Sequence, residues 1–460
     1  MKFLIILSFI IKILNEATKS LDFAFYSRFK ESEITPDNLM SSLINNDIYT
    51  NFLIGDKRQL IEMNIKTQQA STYIISESCT QHDKAKKFNE KISSTYSNIT
   101  KEDKYYMYEF NKATYSKDNF IFIQKDNTQI EAKEFKFMLV NEFWDDYQKN
   151  VGGMFGLILQ LKDEQNKKEP DFTELIDQLK EKNIINSFVF ALEYTDDYNG
   201  ILHLGSYFHE YNKSYSEEDF IHTQAGNEHF RIKDWDLNVE KIVSGNNIVQ
   251  NNTFLKIYYE YGIIAAPTGY HEYIKSTFFK KYLDDKICQE KLNFETIASF
   301  KKYYYIECDK NNFNKESFPN LNFYNRDMNL NFSINYKDAF YEYNNKVYFL
   351  IVFPIYPITV EYWLVGKPLL KKYLLFLDKD KKTIGLYLNY IPTQENGPII
   401  ISPDYSNYIA ITIVLSVIVV ALIIILVYYF LVIKKPRRVR ANELDEKIDY
   451  EPYEDKNIIN

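Results

Sequence analysis

Four asparagines stand in the Asn-x-Ser/Thr spacing that N-linked glycosylation requires, namely Asn98, Asn212, Asn251 and Asn331. Such an asparagine accepts a glycan only when the chain is exported and the residue lies in an exposed segment. Without a glycan, each of the four is a plain polar loop residue. The spacing therefore predicts glycan chemistry on an exported chain.

The chain has three cysteines, Cys79, Cys288 and Cys308. In an oxidising exterior compartment a disulfide is expected wherever the geometry allows it. An odd number leaves one thiol, which is either buried and inert or available for an intermolecular bridge.

Other common kinds of site have no signature in this sequence. The six histidines and the many acidic residues show no metal-ligand spacing. No glycine-rich phosphate loop and no Gly-x-Ser-x-Gly element is found. We therefore expect neither a metal nor a cofactor. The net charge of −8 argues against a nucleic-acid partner, because phosphate binding requires a cationic surface.

The N-terminal residues resemble a secretory signal peptide. Lys2 is followed by an apolar run over residues 3–14 and then by the small residues Ala17 and Ser20. We assign residues 1–20 to this signal, although Lys12 interrupts the run and leaves the cleavage position open. The alternative is a buried N-terminal helix.

A second apolar segment, residues 408–433, carries no charge and exceeds the roughly 20 residues needed to cross a bilayer. Tyr428 and Tyr429 near its end suit the membrane interface. A basic cluster follows at once, and the positive-inside rule places it in the cytoplasm. Its members are Lys434, Lys435, Arg437, Arg438 and Arg440. These signals predict a single-pass type I membrane protein with a stalk (residues 394–407), a span (408–433) and a cytoplasmic tail (434–460). The main domain would be extracellular or lumenal.

Between these signals, short runs rich in β-branched and aromatic residues alternate with polar breaks, which is typical of β-structure. Examples are residues 48–54, 60–65, 120–123, 188–192, 347–353 and 373–377. One amphipathic helix is predicted over residues 172–182, where Phe172, Leu175, Ile176 and Leu179 fall at helical spacing.

A series of segments in this domain resembles, in order, the conserved blocks of the pepsin family of aspartic proteases (family A1). The closing block is the most similar, since Trp363-Leu364-Val365-Gly366 and Ile384-Gly385-Leu386 resemble Trp-Ile-Leu-Gly and Val-Gly-Leu. Tyr373 and the block Phe376-Leu377-Asp378 stand between these two. The other matching segments are residues 48–55, 59–65, 88–96, 152–157, 201–205, 235, 266–268, 305–308 and 318–321.

The resemblance implies an all-β, bilobal double barrel with a central cleft, followed here by the C-terminal transmembrane helix. It divides the domain into an N-terminal lobe (residues 21–185) and a C-terminal lobe (residues 186–393). In the family each lobe contributes one aspartate from an Asp-Thr/Ser-Gly loop. The two carboxylates share a proton, so that one acts as base on a water and the other as acid.

Both expected aspartates are replaced in this sequence. Ungapped counts from the flanking blocks place Lys66 and Tyr258 at the two positions. Lysine is cationic and cannot accept the proton, and a neutral phenol is a poor base below its pKa of about 10. Moving a gap by two residues would instead bring Glu260 into the second loop, where it would pair with Lys66 as an ion pair. The resemblance also implies a flap over residues 104–120, with Tyr106 or Tyr108 as the flap tyrosine. The alternative for either tyrosine is an ordinary strand residue.

The resemblance places Cys308 in a second-lobe disulfide whose usual partner is missing, so that Cys288 is its expected partner. We predict a noncatalytic membrane-anchored pseudoprotease that binds a peptide or a protein in its cleft. One alternative is an active membrane-anchored aspartic endopeptidase. A second alternative is a structural surface glycoprotein without a ligand.

Overall fold

A computed structural model describes residues 19–27, 35, 38–44, 47–67, 72–80, 85–101, 103–105, 110–143, 151–159, 175–226, 234–294, 302–355 and 362–390. These residues belong to one compact unit of the chain, residues 1–398, and none lies in the second unit, residues 399–460. The predicted signal peptide up to residue 18, the stalk, the span and the tail lie outside the described residues. Within the described ranges, no helix is both long enough and apolar enough to cross a bilayer.

Strands dominate the domain, and twenty-five of them fall within the described residues. In chain order they are β1 (Leu21–Ser27), β2 (Ile48–Ile54), β3 (Gln59–Lys66), β4 (Tyr73–Ile75), β5 (Ser97–Asn98), β6 (Asp103–Tyr105), β7 (Phe110–Ile123), β8 (Gln129–Phe143), β9 (Gly153–Gly156), β10 (Val189–Tyr194), β11 (Asn199–Leu204), β12 (Phe220–Gln224), β13 (Asp236–Ser244), β14 (Asn247–Ile257), β15 (Ile264–Ala265), β16 (Cys288–Asn293), β17 (Tyr303–Asp309), β18 (Leu321–Asn325), β19 (Leu330–Ile334), β20 (Phe340–Tyr343), β21 (Lys346–Phe349), β22 (Ile351–Pro354), β23 (Trp363–Val365), β24 (Phe376–Asp378) and β25 (Thr383–Tyr387).

The helices are short. The α-helices of the described residues are α1 (Leu39–Ile44), α2 (Leu175–Glu181), α3 (Thr268–Ile274), α4 (Lys280–Asp284), α5 (Tyr336–Ala339) and α6 (Lys367–Leu370). A π-helical turn, Lys275–Phe279, joins α3 to α4. The 3-10 turns are Glu90–Ile92, Phe208–Glu210, Glu217–Asp219 and Lys315–Ser317.

The strands form two large sheets, as the bilobal expectation requires. In the described residues the first sheet has fourteen strands in the order β12-β25-β24-β10-β11-β1-β2-β3-β9-β4-β8-β7-β5, with β6 paired to β7. The second sheet has eleven, in the order β19-β18-β13-β14-β23-β15-β22-β17-β21-β20, with β16 paired to β17. The all-β, pepsin-like class is therefore confirmed. The first sheet also contains strands from beyond residue 185, because β10 and β11 join it, so the lobe boundary stays a prediction.

The predicted strands form where the apolar runs can be buried. β2 covers the predicted run 48–54 and pairs with β3 from Ile48↔Ile65 to Ile54↔Gln59. Its Phe52 lies in an aromatic core, with its ring centroid 5.2 Å from Phe122 and 5.6 Å from Phe155. Edge-to-face contacts of this kind add to the stabilisation from burying apolar surface.

The predicted helix over residues 172–182 is observed as α2, from Leu175 to Glu181. It ends because Asn183 has a φ of 56°, a left-handed conformation that closes helices. Its buried face includes Gln178, whose side-chain amide bonds the backbone N–H and C=O of Lys136 in β8. The helix is therefore attached to the first sheet by polar as well as apolar contacts.

The predicted disulfide is confirmed, since Cys288 and Cys308 are bonded to each other. They stand directly opposite one another in the antiparallel pair of β16 and β17. Cys79 takes no part in a disulfide and is buried. Of the two alternatives for the third cysteine, the structure therefore favours the buried thiol.

A buried histidine links three adjacent strands of the first sheet. The Nδ1 atom of His203 in β11 lies 2.9 Å from Asp22 in β1, and its Nε2 atom lies 3.0 Å from Glu193 in β10. Burial lowers the pKa of His203, but attraction and hydrogen bonds to the two carboxylates outweigh it and raise the pKa to about 9. Lys125 pairs with Asp22 at 2.9 Å, and Tyr390 donates a hydrogen bond to Glu193. The imidazole is therefore cationic at neutral pH.

Candidate functional site

Two loops, one at the end of β3 and one at the end of β14, occupy equivalent places in the two sheets. β3 runs parallel to β9, with Ile65 opposite Phe155 and Lys66 opposite Gly156. β14 runs parallel to β23, with Ile257 opposite Val365. Lys66 follows Ile65 in the first sheet, and Tyr258 follows Ile257 in the second. Each therefore lies beside a triplet of two hydrophobic residues and a glycine, which is Met154-Phe155-Gly156 in the first sheet and Leu364-Val365-Gly366 in the second.

Glycine at the end of the second triplet is required by close packing. A Cβ atom on Gly366 would lie 2.2 Å from the carbonyl oxygen of Tyr261 and 2.5 Å from that of Ile263. The backbone N–H of Lys367 donates to the same carbonyl of Tyr261. The second loop, residues 258–262, is therefore packed against the second triplet, which ends at Gly366.

Lys66 is buried and forms an ion pair. Its Nζ atom lies 2.5 Å from Oδ1 of Asp47, and both side chains are nearly inaccessible to solvent. Burial alone would lower the pKa of Lys66, but attraction to Asp47 and then to Glu260 raises it above its ordinary value. The ammonium therefore keeps its proton at every working pH and has no lone pair to accept another.

Thr67 connects the two loops. Its Oγ1 atom donates a hydrogen bond of 3.0 Å to Oε2 of Glu260, and both residues are buried. Glu260 thus contacts the first loop through Thr67, whereas the ion-pair partner of Lys66 is Asp47 rather than the Glu260 that the shifted gap implied. Gln68, the next residue of the first loop, lies outside the described residues.

Tyr258 is half-buried and its ring lies 5.1 Å from that of Tyr261, centroid to centroid. Burial, and then the neighbouring Tyr261 and Glu260, raise the pKa of Tyr258 well above its ordinary value. Its phenol is therefore neutral at neutral and acidic pH. The next residue, Tyr259, is fully buried, and its backbone carbonyl accepts a hydrogen bond from the hydroxyl of Tyr194.

The indole of Trp235 adds a second tie between the two sheets. Its Nε1 atom donates a 2.8 Å hydrogen bond to the carbonyl oxygen of Leu157, the residue after β9. The N–H of Leu157 in turn donates to the carbonyl of Lys66. Trp235 precedes β13, so this chain of bonds joins the second sheet to the first loop.

The family model for eukaryotic aspartyl proteases matches residues 47–388 of the chain. This chain belongs to that family. The match begins at Asp47 and ends after β25, so it spans both loops and every described strand of the two sheets except β1. A comparison with curated proteins finds no match to this chain.

Tyr106 and Tyr108, the two candidates for the flap tyrosine of this aspartyl protease fold, lie outside the described residues. The hairpin expected over residues 104–120 is represented by β6 and β7, which pair from Asp103↔Ala113 to Tyr105↔Phe110. β7 continues beyond this hairpin to Ile123 and pairs along its length with β8.

The predicted glycan acceptors lie at the surface of the aspartyl protease domain. Asn98, Asn251 and Asn331 are exposed, and Asn212 is partly exposed. Asn98 accepts hydrogen bonds from Tyr96 and Ser116 within the fold. Solvent can reach all four positions, and their glycosylation stays a prediction.

Two features of the site had no signal in the sequence. Asp47 is a single acidic residue after Asn45-Asn46, and nothing in its spacing connects it with Lys66. The contact of α1 with the second loop, through the N–H of Gly262 and the carbonyl of Leu43, joins segments more than two hundred residues apart. A search for a carboxylate that balances the charge of Lys66 would have included Asp47 among the candidates. The sequence gives no reason to prefer it over the other acidic residues. Within the described ranges, no three His, Cys, Asp or Glu side chains are grouped so that they could hold a metal ion.

Proposed function

We propose that this member of the eukaryotic aspartyl protease family is a noncatalytic pseudoprotease that binds a peptide or a protein between its lobes. The observation that carries the proposal is the ion pair of Lys66 with Asp47 at the first loop. General acid–base hydrolysis by this fold needs two adjacent carboxylates that share one proton. A lysine that cannot lose its proton leaves the first loop without a base.

The nearby carboxylates support the same proposal, because each is already engaged. Asp47 is bound to Lys66, and Glu260 accepts the hydroxyl of Thr67. At the equivalent position of the second loop, the neutral phenol of Tyr258 supplies no base. The alternative of an active endopeptidase would require one of these groups to leave its partner and activate a water.

The proposal includes the topology expected from the sequence, with a cleaved signal, an exterior or lumenal domain and one C-terminal span. Its support is the uncharged segment 408–433 and the basic cluster after it. Tags at residue 400 and at the C-terminus should respond differently to an impermeant protease added outside cells. For chains at the cell surface only the first tag should be removed, whereas for chains in sealed internal vesicles, whose cytosolic face is outward, only the C-terminal tag should be removed. Removal of the C-terminal tag from intact cells, or of the first tag from sealed vesicles, would contradict the topology.

The catalytic question is decided by a peptide library screened with the full-length chain from about pH 3 to 7. We expect saturable binding of some peptides and no cleavage of any. Cleavage that disappears in a Lys66→Ala variant would instead identify an active endopeptidase. Absence of any binder would favour the structural surface glycoprotein.

A further inference from the structure

Lys367 begins α6, directly after the second triplet, and its side chain reaches across to the first sheet. Its backbone N–H donates a 2.7 Å hydrogen bond to the carbonyl of Tyr261, which holds the residue against the second loop. The side chain ends at the turn between β10 and β11, and only 14% of it stays exposed. Lysines are rarely enclosed to this degree, because the ammonium group is strongly hydrated.

An aspartate and two tyrosine rings lie around the amine of Lys367. Its Nζ atom donates a hydrogen bond to the backbone carbonyl of Asp197 and lies 3.7 Å from Oδ1 of the same residue. Nζ also lies 5.4 Å from the ring centroid of Tyr198 and 5.8 Å from that of Tyr194. The ring of Tyr194 is itself fixed, since its hydroxyl donates to the carbonyl of Tyr259. The turn and the two rings therefore determine where the amine lies.

A second amine lies beside the same carboxylate. Nζ of Lys371 is 3.8 Å from Oδ1 of Asp197, and the side chain of this lysine is 23% exposed. The carboxylate of Asp196 accepts the N–H groups of Tyr198 and Asn199 and so forms part of the turn. Two ammonium groups beside one exposed carboxylate repel each other, which favours loss of a proton from the more enclosed of the two.

Burial is the main cause that lowers the pKa of Lys367, and repulsion by Lys371 acts in the same direction. Attraction to Asp197 and Asp196 opposes these two effects without cancelling them, so the pKa is about 8 rather than 10.5. At pH 7 about one such amine in ten is neutral, against about one in three thousand for a lysine in water. A neutral amine has a free lone pair and is a nucleophile, as are the lysines that burial or a neighbouring cation activates in enzymes.

The charges around the amine favour one kind of product. An imine made from an aldehyde can be protonated, and it then keeps the positive charge that Asp197 and the faces of the two tyrosine rings stabilise. Acylation of Lys367 would give a neutral amide, which loses these interactions. Reaction with carbon dioxide would place an anion beside the carboxylate of Asp197, where it would be repelled.

We propose that Lys367 is a covalent attachment site for small aldehydes, with which it forms an imine. The lone pair of the neutral amine attacks the aldehyde carbon, and a proton moves from nitrogen to oxygen to give a carbinolamine. The ammonium of Lys371 then donates a proton to the hydroxyl group, which leaves as water while the nitrogen lone pair forms the C=N bond. The product is an iminium cation beside Asp197, and Lys371 recovers its proton from solvent.

The aldehyde must be small because so little of the Lys367 side chain is exposed. The test therefore uses propanal with the full-length chain, and cyanoborohydride reduces the iminium to a stable propyl-lysine that mass spectrometry locates. At pH 7 we expect Lys367 to be modified at least about tenfold faster than Lys371 or than Lys57, whose side chain is 60% exposed.

The pH dependence provides a second readout. The ratio of the Lys367 rate to the Lys57 rate should fall at least about tenfold between pH 7 and pH 10, because exposed lysines gain their neutral form only near pH 10. Taking this ratio cancels the effect of pH on the reductant. A ratio near one at pH 7, or one that does not change with pH, would overturn the proposal.

Two variants and a control locate the reaction. Lys367→Arg keeps a positive charge but has no amine of this kind, so the fast modification should disappear while the other lysines keep their rates. Lys371→Met removes the neighbouring cation and the proton donor, and modification of Lys367 should slow at least about fivefold. The matched control is Lys280→Met, which removes a lysine from an exposed ion pair of 2.9 Å with Asp284 and should leave the Lys367 rate unchanged.

Equal rates in the Lys371→Met and Lys280→Met variants would overturn the part assigned to Lys371, and a fast modification that survives in Lys367→Arg would overturn the site itself. Circular dichroism checks that each variant is folded, and Lys371→Gln replaces Lys371→Met if the latter is not. The reaction does not depend on the proposed binding of a peptide, so its result bears on Lys367 alone.

Discussion

Replacement of His203 by glutamine tests how the centre of the first sheet is held together. Glutamine retains a donor toward the carboxylates of Asp22 or Glu193 but carries no positive charge. The change therefore removes a positive charge that balances the two buried carboxylates. It keeps most of the packing against Phe208, whose ring lies 4.9 Å from the imidazole.

The magnitude follows from the pKa of the histidine. In the folded domain the pKa of His203 is about 9, against 6.5 for an unperturbed histidine. Because the folded pKa is the higher one, protonation of the imidazole stabilises the fold fully below pH 6.5. This contribution of about 3 kcal/mol is lost as the pH rises through 9. The burial of the side chain justifies using the full shift.

Urea unfolding of the full-length chain between pH 6 and 10 measures this contribution. The difference in unfolding free energy between the wild type and His203→Gln should be largest near pH 6 and should shrink by about 3 kcal/mol by pH 10. The pH dependence that other titrating groups contribute is common to both proteins, so it cancels in this difference of unfolding free energies. The control is His222→Gln, which makes the same exchange at an exposed histidine in β12.

A difference between wild type and His203→Gln that stays constant from pH 6 to 10 would refute this reasoning. It would mean that the imidazole is neutral in the folded domain and that its two carboxylate contacts are ordinary hydrogen bonds.

Three further predictions concern other buried groups. Lys66→Met should cost about 3–5 kcal/mol because it leaves Asp47 buried without a partner, and the double variant Lys66→Met/Asp47→Asn should cost less than the two single variants together in urea unfolding. Replacing Cys288 and Cys308 by alanine should lower the unfolding free energy by about 3 kcal/mol, because the bond closes a loop of 20 residues, and a reducing agent should then have no further effect. Burial raises the pKa of Asp236 to about 6 from 3.8, so its stabilising contribution of about 3 kcal/mol should be present below pH 3.8 and lost as the pH rises through 6. The variant Asp236→Asn should lack this slope in thermal unfolding between pH 4 and 7, and an unchanged slope would assign it to another group.

The sequence predicted the strands best where a run is apolar on both faces or alternates cleanly. β2 has the predicted bounds, and all three residues of β23 are buried as the closing block suggested. The run 347–353 was predicted as one strand but forms β21 and β22, because the chain changes neighbours at Leu350 and pairs first with β20 and then with β15. Pairing partners of this kind depend on distant segments that local periodicity does not contain.

At the site, the sequence suggested which residues stand at the expected aspartate positions, and this assignment stays a prediction; it did not suggest which group balances the charge of Lys66. Lys66 and Tyr258 follow from counts along conserved blocks, and the parallel pairs of β3 with β9 and β14 with β23 are consistent with those counts. Asp47 and α1 were not predicted, because a lone acid and a six-residue segment with four apolar side chains are common and acquire a role only in three dimensions.

The position of β1 has a consequence for the order of events during synthesis. β1 pairs with β11 through six residues, from Leu21↔Leu204 to Tyr26↔Asn199, but with β2 through only two. At about 5–20 residues per second, β1 must wait roughly 10–40 seconds after it emerges before β11 has been made. During that interval the strand lacks its main pairing partner, although β2 and the rings of Phe52 and Phe122, which contact Phe23, are made earlier. A chaperone that protects nascent chains should therefore engage this protein early and release it only after residue 204 has emerged.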